Sequence, residues 1–265
     1  MRLDVEDLRF GYGSKPVLEG IEMQAMPGEI TAIIGPNAVG KTTLLKCIAG
    51  LLKSDGKVML DGREVRSFRR DEITEYISYL PQESFSRAVL TVFEAVLLGR
   101  LHSLSWRVDD CALALVSDVL EDLEIDFLAT RYLNELSGGQ KQMVSIAQSL
   151  VREPKVLLMD EPTSSLDLQH QLEVIDLIRD VTVERGITTL IALHDLNLAA
   201  RYADRFVVMH NGSVYATGEP ASVLTSETVR HIYGVNATVY TDSDGIPQIT
   251  PRSSVRKRAR RNRSR

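Results

Sequence analysis

The stretch that most constrains this chain is EITAIIGPNAVGKTT, residues 29–43. A short apolar run ends at a glycine, a tight loop follows, and Lys-Thr-Thr opens a helical pattern. The spacing is Gly35, four residues, then Gly40, Lys41 and Thr42. A buried strand feeding a helix through such a loop aims backbone N–H groups inward, where they can surround phosphate oxygens. The residues between the glycines, Pro36, Asn37, Ala38 and Val39, form the wall of that cradle. Gly40 lets the backbone approach closely. Lys41 is placed to reach the β- and γ-phosphates, the Thr42 hydroxyl to ligate Mg²⁺, and Thr43 to meet the α-phosphate.

A hard cation among phosphates needs a protein carboxylate, placed where a buried strand ends. VLLMDEP supplies it: Asp160 follows four apolar residues, and Glu161 stands one residue further on. A carboxylate at position 161 can orient or deprotonate an attacking water.

Apolar periodicity gives the frame around these residues. Residues 2–9 and 17–24 read as strands joined by a glycine-rich turn, and 29–34 as a buried strand. A helix is expected over 41–49. Asp61-Gly62 and Asn211-Gly212 are hairpin turn signals. Strands are expected at 77–80, 155–160, 187–193 and 205–210. Residues 91–152 have helical spacing and read as a helical insertion, and 168–185 as a long amphipathic helix. Strands alternating with helices predict an α/β fold with a mostly parallel central sheet covered on both faces.

Charge is uneven along the chain. The last fourteen residues, RSSVRKRARRNRSR, hold eight of the 31 Lys and Arg and no acid. The other 251 residues carry 23 basic and 36 acidic side chains, a net of −13. A body this acidic argues against non-specific nucleic-acid binding by its main surface. The tail, with only Val255 and Ala259 as apolar residues, is expected to be disordered. No uninterrupted apolar run approaches the roughly 20 residues that span a bilayer, and the first ten residues alternate like a strand and do not resemble a signal peptide. Cys47 and Cys111 each sit alone in a helical pattern, without metal-ligand spacing, and read as two buried small hydrophobes.

A further stretch, LNELSGGQKQ at residues 133–142, again carries anion-holding chemistry at a helix start, about a hundred residues beyond the first loop. With both in view, the chain resembles the ATP-binding subunits of ABC transporters over residues 1 to about 235. The resemblance implies a P-loop NTPase fold with an antiparallel N-terminal β subdomain and a helical subdomain, about 84–152, that carries the signature motif. Residues 236–251 are then a short C-terminal extension, and 252–265 the tail. It implies that Tyr12 stacks on adenine, and that Gln82 senses Mg²⁺ and the γ-phosphate. Leu136, Ser137, Gly138, Gly139 and Gln140 form the signature, Asp167 closes the D-loop begun at Ser164, and His194 contacts the γ-phosphate. Catalysis then falls to Glu161, His194 and Gln82, and metal binding to Thr42, Gln82 and Asp160. Two such chains are expected to pack head to tail, so that the signature of one closes over the ATP in the loop of the other. This accounts for two distant phosphate-holding stretches in one chain. One departure stands out: the family usually has glycine where this chain has Ala38, and a left-handed conformation there costs Ala roughly 1–2 kcal/mol.

TVFEAVLLGR and TSSLDLQHQLEVIDLI are similar to the subunits that power uptake of iron–siderophores, haem and cobalamin. The implied partners are ATP with Mg²⁺, a second copy of the chain, a polytopic membrane permease and, through it, an external substrate-binding protein. No nucleic-acid partner is expected. The implied location is peripheral, on the cytoplasmic face of the cell membrane. The rival readings are an exporter subunit, a non-catalytic nucleotide sensor, and a soluble ABC ATPase acting on nucleic acid or ribosomes. The DNA-repair type inserts a long coiled coil between the two halves of its ATPase. Here Lys41 and Asp160 are only 119 positions apart, with no heptad array between them.

Overall fold

The computed structural model describes residues 1–82, 89–100, 108–164 and 166–255. In chain order it contains β1 (Leu3–Tyr12), β2 (Lys15–Ala25), β3 (Ile30–Ile34), α1 (Lys41–Ile48), β4 (Asp55–Leu60), β5 (Arg63–Glu64), α2 (Arg70–Tyr76) and β6 (Ile77–Leu80). The helical stretch follows as α3 (Val92–Leu98), α4 (Asp110–Asp122) and α5 (Gly138–Leu150). Then come β7 (Val156–Asp160), α6 (Leu168–Glu184), β8 (Thr188–Ala192), α7 (Leu196–Tyr202), β9 (Arg205–His210) and β10 (Ser213–Gly218). The chain continues through α8 (Pro220–Val223), α9 (Ser226–Tyr233), β11 (Val235–Thr241) and β12 (Pro247–Ser254).

The strands form a six-stranded sheet in the order β10-β9-β3-β8-β7-β6, a four-stranded sheet β2-β1-β4-β5, and the hairpin β11-β12. In the large sheet only β10 runs antiparallel to its neighbour; the other pairings are parallel. The four-stranded sheet is antiparallel throughout. Both expected hairpin turns form. Asp61 and Gly62 have φ of 47° and 81°, and Asn211 and Gly212 have 47° and 79°. Two consecutive positive φ values match the twist of the flanking strands, which is why Asn-Gly and Asp-Gly mark such turns.

The large sheet is buried on both faces, and side-chain parity along its strands divides the core. Ile33, Leu158, Leu190, Ala192 and Val207 point to the face shared with α1 and the four-stranded sheet. Ala32, Ile34, Leu157, Met159, Ile191 and Val208 point to the other face, which joins the core of α3 to α7 and α9. Strands buried on both sides read as continuous apolar runs, as β3 and β7 do. The helices begin where their caps stand. Thr91 accepts a hydrogen bond from the Glu94 N–H while Glu94 reaches back to the Thr91 N–H, and Ser137 and Gln140 pair likewise. Each such box satisfies two otherwise orphaned donors.

The structure departs from the sequence reading at the C-terminus and at one cysteine. Residues 236–251, expected as a short C-terminal extension, make up most of the hairpin β11-β12, whose Ile249 is buried in the core. Within the expected tail, Arg252–Ser254 belong to β12; residues 256–265, and with them most of the disorder expectation, lie outside the described residues. So do residues 83–88 and 101–107 of the helical stretch, and Ser165 between Ser164 and Asp167. Cys47 is buried, but Cys111 is exposed. The buried face of α4 is Ala112, Val116, Val119 and Leu120. Cys111 lies one residue off that face, so the 3.6-residue period turns it to solvent. Among the described residues, no helix is long and apolar enough to cross a membrane.

Candidate functional site

The parallel sheet delivers four chain segments to one edge. The loop Gly35–Gly40 leaves the end of β3, and Asp160 is the last residue of β7. His194 lies two residues beyond β8, which runs between β3 and β7, and Gln82 lies two residues beyond β6. The carboxyl ends of parallel strands are where such sheets assemble sites.

The loop is held in a conformation that its glycines permit. Gly35 has φ of 152°, and a Cβ there would stand 2.5 Å from the Met209 carbonyl oxygen. Gly40, at φ 109°, is the cap residue of α1, and its Cβ would press on Leu18 at 2.9 Å. Ala38 does adopt the left-handed region, at φ 61°. The Lys41 ammonium donates to the carbonyls of Gly35 at 2.9 Å and Pro36 at 3.2 Å. Burial lowers its pKa, and the nearby Glu161 and Asp160 carboxylates oppose that shift. The loop thus wraps a buried cation, held on its own carbonyls.

Beside the loop, the Thr42 hydroxyl donates to Asp160 Oδ1 at 3.1 Å. Asp160 is only 3% exposed, and its other oxygen accepts from the Tyr79 hydroxyl at 3.4 Å. Burial, reinforced by Asp160, holds the Tyr79 pKa well above the usual phenol range. Tyr79 therefore stays a neutral donor. Glu161 has φ of 53°, unusual for a residue with a side chain. Both of its carboxylate oxygens are engaged: Oε1 pairs with His194 Nε2, and Oε2 accepts from Gln82 Nε2 at 3.0 Å. Gln82 also donates to Ser164 Oγ at 3.3 Å. Tyr12 is largely exposed, with its ring edge-on to Phe10 at 4.9 Å between centroids. Its strand partner Lys15 borders a hollow of about 270 Å³, lined also by Pro16, Val17, Asn37, Ala38 and Val39.

Sequence-derived site residues from Gly35 to Thr43, with Gln82, Asp160, Glu161 and His194, therefore converge on one sheet edge. The signature residues do not join them. Ser137 caps α5 and leaves the N–H groups of Gly138 and Gly139 at the start of a thirteen-residue helix. Among the described residues, no hydrogen bond links 136–140 to 35–43. Asp167 caps α6, accepting from the His170 N–H at 3.0 Å. Sequence reasoning missed Tyr79, which the pairing of β6 with β7 sets across from Leu158, two residues before Asp160 and on the same side of the strand. It also missed His170, which lay in plain view three residues after Asp167.

Comparison with known proteins fits this geometry. The ABC transporter family profile matches residues 18–164. An uncharacterized ABC transporter ATP-binding protein of Methanocaldococcus jannaschii is 40% identical over 252 residues, covering 95% of this chain and 98% of its own. The ferric enterobactin transport ATP-binding protein of Escherichia coli is 36% identical and covers 94% of each chain. A hemin import ATP-binding protein of Mesorhizobium japonicum is 35% identical, over 96% of this chain and 99% of its own. Among solved structures, an ABC transporter ATP-binding cassette in its ADP conformation superposes with a TM-score of 0.80 at 30% identity, covering 88% of this chain and 98% of the other. With more than half of the chain matched by the profile and nearly all of it by these relatives, the chain belongs to the ATP-binding subunits of the ABC transporter family.

Proposed function

We propose that this chain is the ATP-hydrolysing subunit of an importer for a metal chelate: a ferric siderophore, haem or cobalamin. It would sit peripherally on the cytoplasmic face of the membrane, bound to a polytopic permease and, through that, serving an external substrate-binding protein. The relatives named for ferric enterobactin and hemin support the cargo class. The observation that supports the chemistry most is the double engagement of Glu161 by His194 and Gln82, beside Lys41 and Asp160.

The donor set suits Mg²⁺ with ATP. One hydroxyl, Thr42, and one buried carboxylate, Asp160, stand 3.1 Å apart. Magnesium takes few protein ligands and completes its shell with phosphate and water. When bound, it would neutralise charge on the β- and γ-phosphate oxygens. The chain's own residues then have distinct tasks. Loop N–H groups and Lys41 hold the phosphates, and Tyr12 stacks on the adenine. A γ-phosphate would compete for the donors now on Glu161. His194 and Gln82 turned to its oxygens would leave the Glu161 carboxylate free to accept a hydrogen bond from water. Water oxygen then bonds to the γ-phosphorus, the bond to the β-phosphate oxygen breaks, and the water proton passes to Glu161. Ser137 and the N–H groups of Gly138 and Gly139 would close the site from a second copy of the chain, packed head to tail.

Two measurements in the native cell test this reading. Capture of the tagged chain from detergent-solubilised membranes should bring down a polytopic permease. Removing the gene should abolish uptake of a labelled iron chelate, with recovery by the wild-type chain and not by Glu161→Gln. Capture of ribosomes or nucleic acid instead, with chelate uptake intact, would overturn it.

A further inference from the structure

His170 lies in the first turn of α6 and touches two segments that carry separate motifs. Its ring packs on Gly139: a Cβ there would stand 2.4 Å from His170 Cδ2 and 2.8 Å from Cγ. Any side chain at 139 would have to displace this ring. At Gly138, by contrast, an added Cβ would meet nothing within 4 Å, so the outward side of the signature turn is open. The other edge of the His170 ring holds Asp167. Nδ1 lies 2.6 Å from Asp167 Oδ1, which also accepts the His170 N–H at 3.0 Å. An ionised carboxylate only accepts, so Nδ1 carries the proton. A backbone cap alone would satisfy the start of α6; the ring bond is additional.

We propose that His170 is a positioning residue: wedged between Gly139 and Asp167, it joins the signature turn and the D-loop into one edge, and when its ring is protonated it supplements the start of α5 as an anion site. The proposal rests on the head-to-tail reading, in which this edge faces the nucleotide of a second chain. A cation beside the N–H groups of Gly138 and Gly139 adds to the helix field that favours an anion. The charged groups acting on His170 are Asp167 and Glu173, both from its own helix and cap. From α5, the uncharged Gly139 packs on its ring.

Charge on the ring depends on pH in a defined direction. The hydrogen bond to Asp167 raises the His170 pKa, with desolvation opposing it. The bonds from His170, backbone first, lower that of Asp167. His170 is raised above its unfolded value, so its contribution is full below that value, about 6.5, and is lost as pH rises through the folded pKa. Asp167 is depressed, so its contribution is lost only as pH falls through its own lowered pKa. Between those two limits the pair is intact.

The experiment uses the full chain carrying Glu161→Gln, which slows turnover and does not touch His170. Its ATP-dependent dimerisation is measured by light scattering from about pH 6 to about pH 9, beside the affinity of the monomer for a fluorescent ATP analogue. The parent dimer should weaken as pH rises. His170→Ala should weaken it by roughly 3- to 30-fold at the acid end, each of two symmetric sites losing a charge near a helix terminus, and by less at the alkaline end, where the parent ring has lost its charge too. His170→Asn keeps a donor for Asp167 and fits beside Gly139, so it should restore most of the dimer below neutrality without the pH step. Monomer affinity should be the same in all three. A His170→Ala dimer curve that overlays the parent would overturn the proposal, as would a parallel loss of monomer affinity, the mark of simple destabilisation. If the parent forms no ATP-dependent dimer, the head-to-tail reading fails. The wedge is then judged in the monomer by NMR: the Gly139 amide should titrate with the His170 ring in the parent and stay flat in His170→Asn. A Gly139 amide indifferent to pH in the parent would refute it.

Discussion

Glu161, the base of the proposed mechanism, is a residue that the sequence could place but not pose. Its position after an apolar strand marked it, yet its left-handed φ of 53° and its two partners are tertiary facts. Glu161→Gln keeps the shape and the contact to Gln82 and removes the base. ATP should still bind, and steady-state hydrolysis should fall by on the order of 10²–10⁴-fold; phosphate release measures it, and turnover near the wild-type rate would remove Glu161 from the mechanism. Ala38 is the converse case, where the family resemblance raised the question of a left-handed conformation and the structure answers it. At φ 61° it lacks the freedom of glycine. Ala38→Gly relieves roughly 1–2 kcal/mol of native strain, partly offset by about 0.4–1 kcal/mol of extra unfolded-chain entropy. The net expectation is a small rise in Tm and equal or tighter ATP binding. A fall in both would show that the Ala38 methyl contributes packing. Cys111 was misread by residue type alone, although the spacing of Ala112, Val116, Val119 and Leu120 leaves it one residue off the buried face. Cys47, with its thiol pushed up to about 11 by burial, behaves as the apolar residue it was taken for.

Elements differ in how openly they announce themselves. α3 and α5 carry capping boxes, β3 and β7 are uniform apolar runs, and the two hairpin turns have Asp-Gly and Asn-Gly. All of these were readable because the deciding interactions are local. The hairpin β11-β12 was not. Its inward residues, Val235, Ala237 and Val239, are only partly buried, and Ile249 is its main apolar anchor. What holds it is long-range. The Asn197 side chain donates to the Ile249 carbonyl at 3.2 Å and accepts the Ile249 N–H at 2.7 Å, pairing with β12 as a neighbouring strand would. Asn197 sits in the first turn of α7, where Asp195 accepts its N–H at 2.8 Å. Asn197→Ala leaves the partly buried Ile249 backbone groups unpaired, at a cost of roughly 1–3 kcal/mol. Hydrogen exchange should quicken across 235–254 and leave β3 and β7 protected. Uniform quickening across the sheet would mean that the hairpin and the core unfold as one unit.

At the scale of the whole molecule, the sequence reading expected the phosphate loop and the signature to serve one site from different chains, and within this chain the two stretches lie apart. The signature at 136–140 shares no hydrogen bond with the loop at 35–43 among the described residues. A site split in this way can be completed only by a second chain or by a large rearrangement within one, and complementation separates the two. Lys41→Ala removes the buried cation of the loop. Ser137→Arg replaces the capping hydroxyl of α5, a loss that costs about 1 kcal/mol by itself, and puts bulk over the open side at Gly138. In either pure homodimer every composite site has one damaged half, so each variant should be nearly inactive. In the mixed dimer one site unites both defects. The other joins the intact loop of the Ser137→Arg chain to the intact signature of the Lys41→Ala chain. That site should bind ATP and bridge differently tagged chains, and hydrolysis should return in part if one site suffices. If each chain closed its own signature over its own loop, no mixture would contain an intact site. The readout is ATP-dependent co-capture of the two tags, with phosphate release beside it. Wild-type chains that pair under conditions where the mixed variants do not would place the second anion site within a single chain.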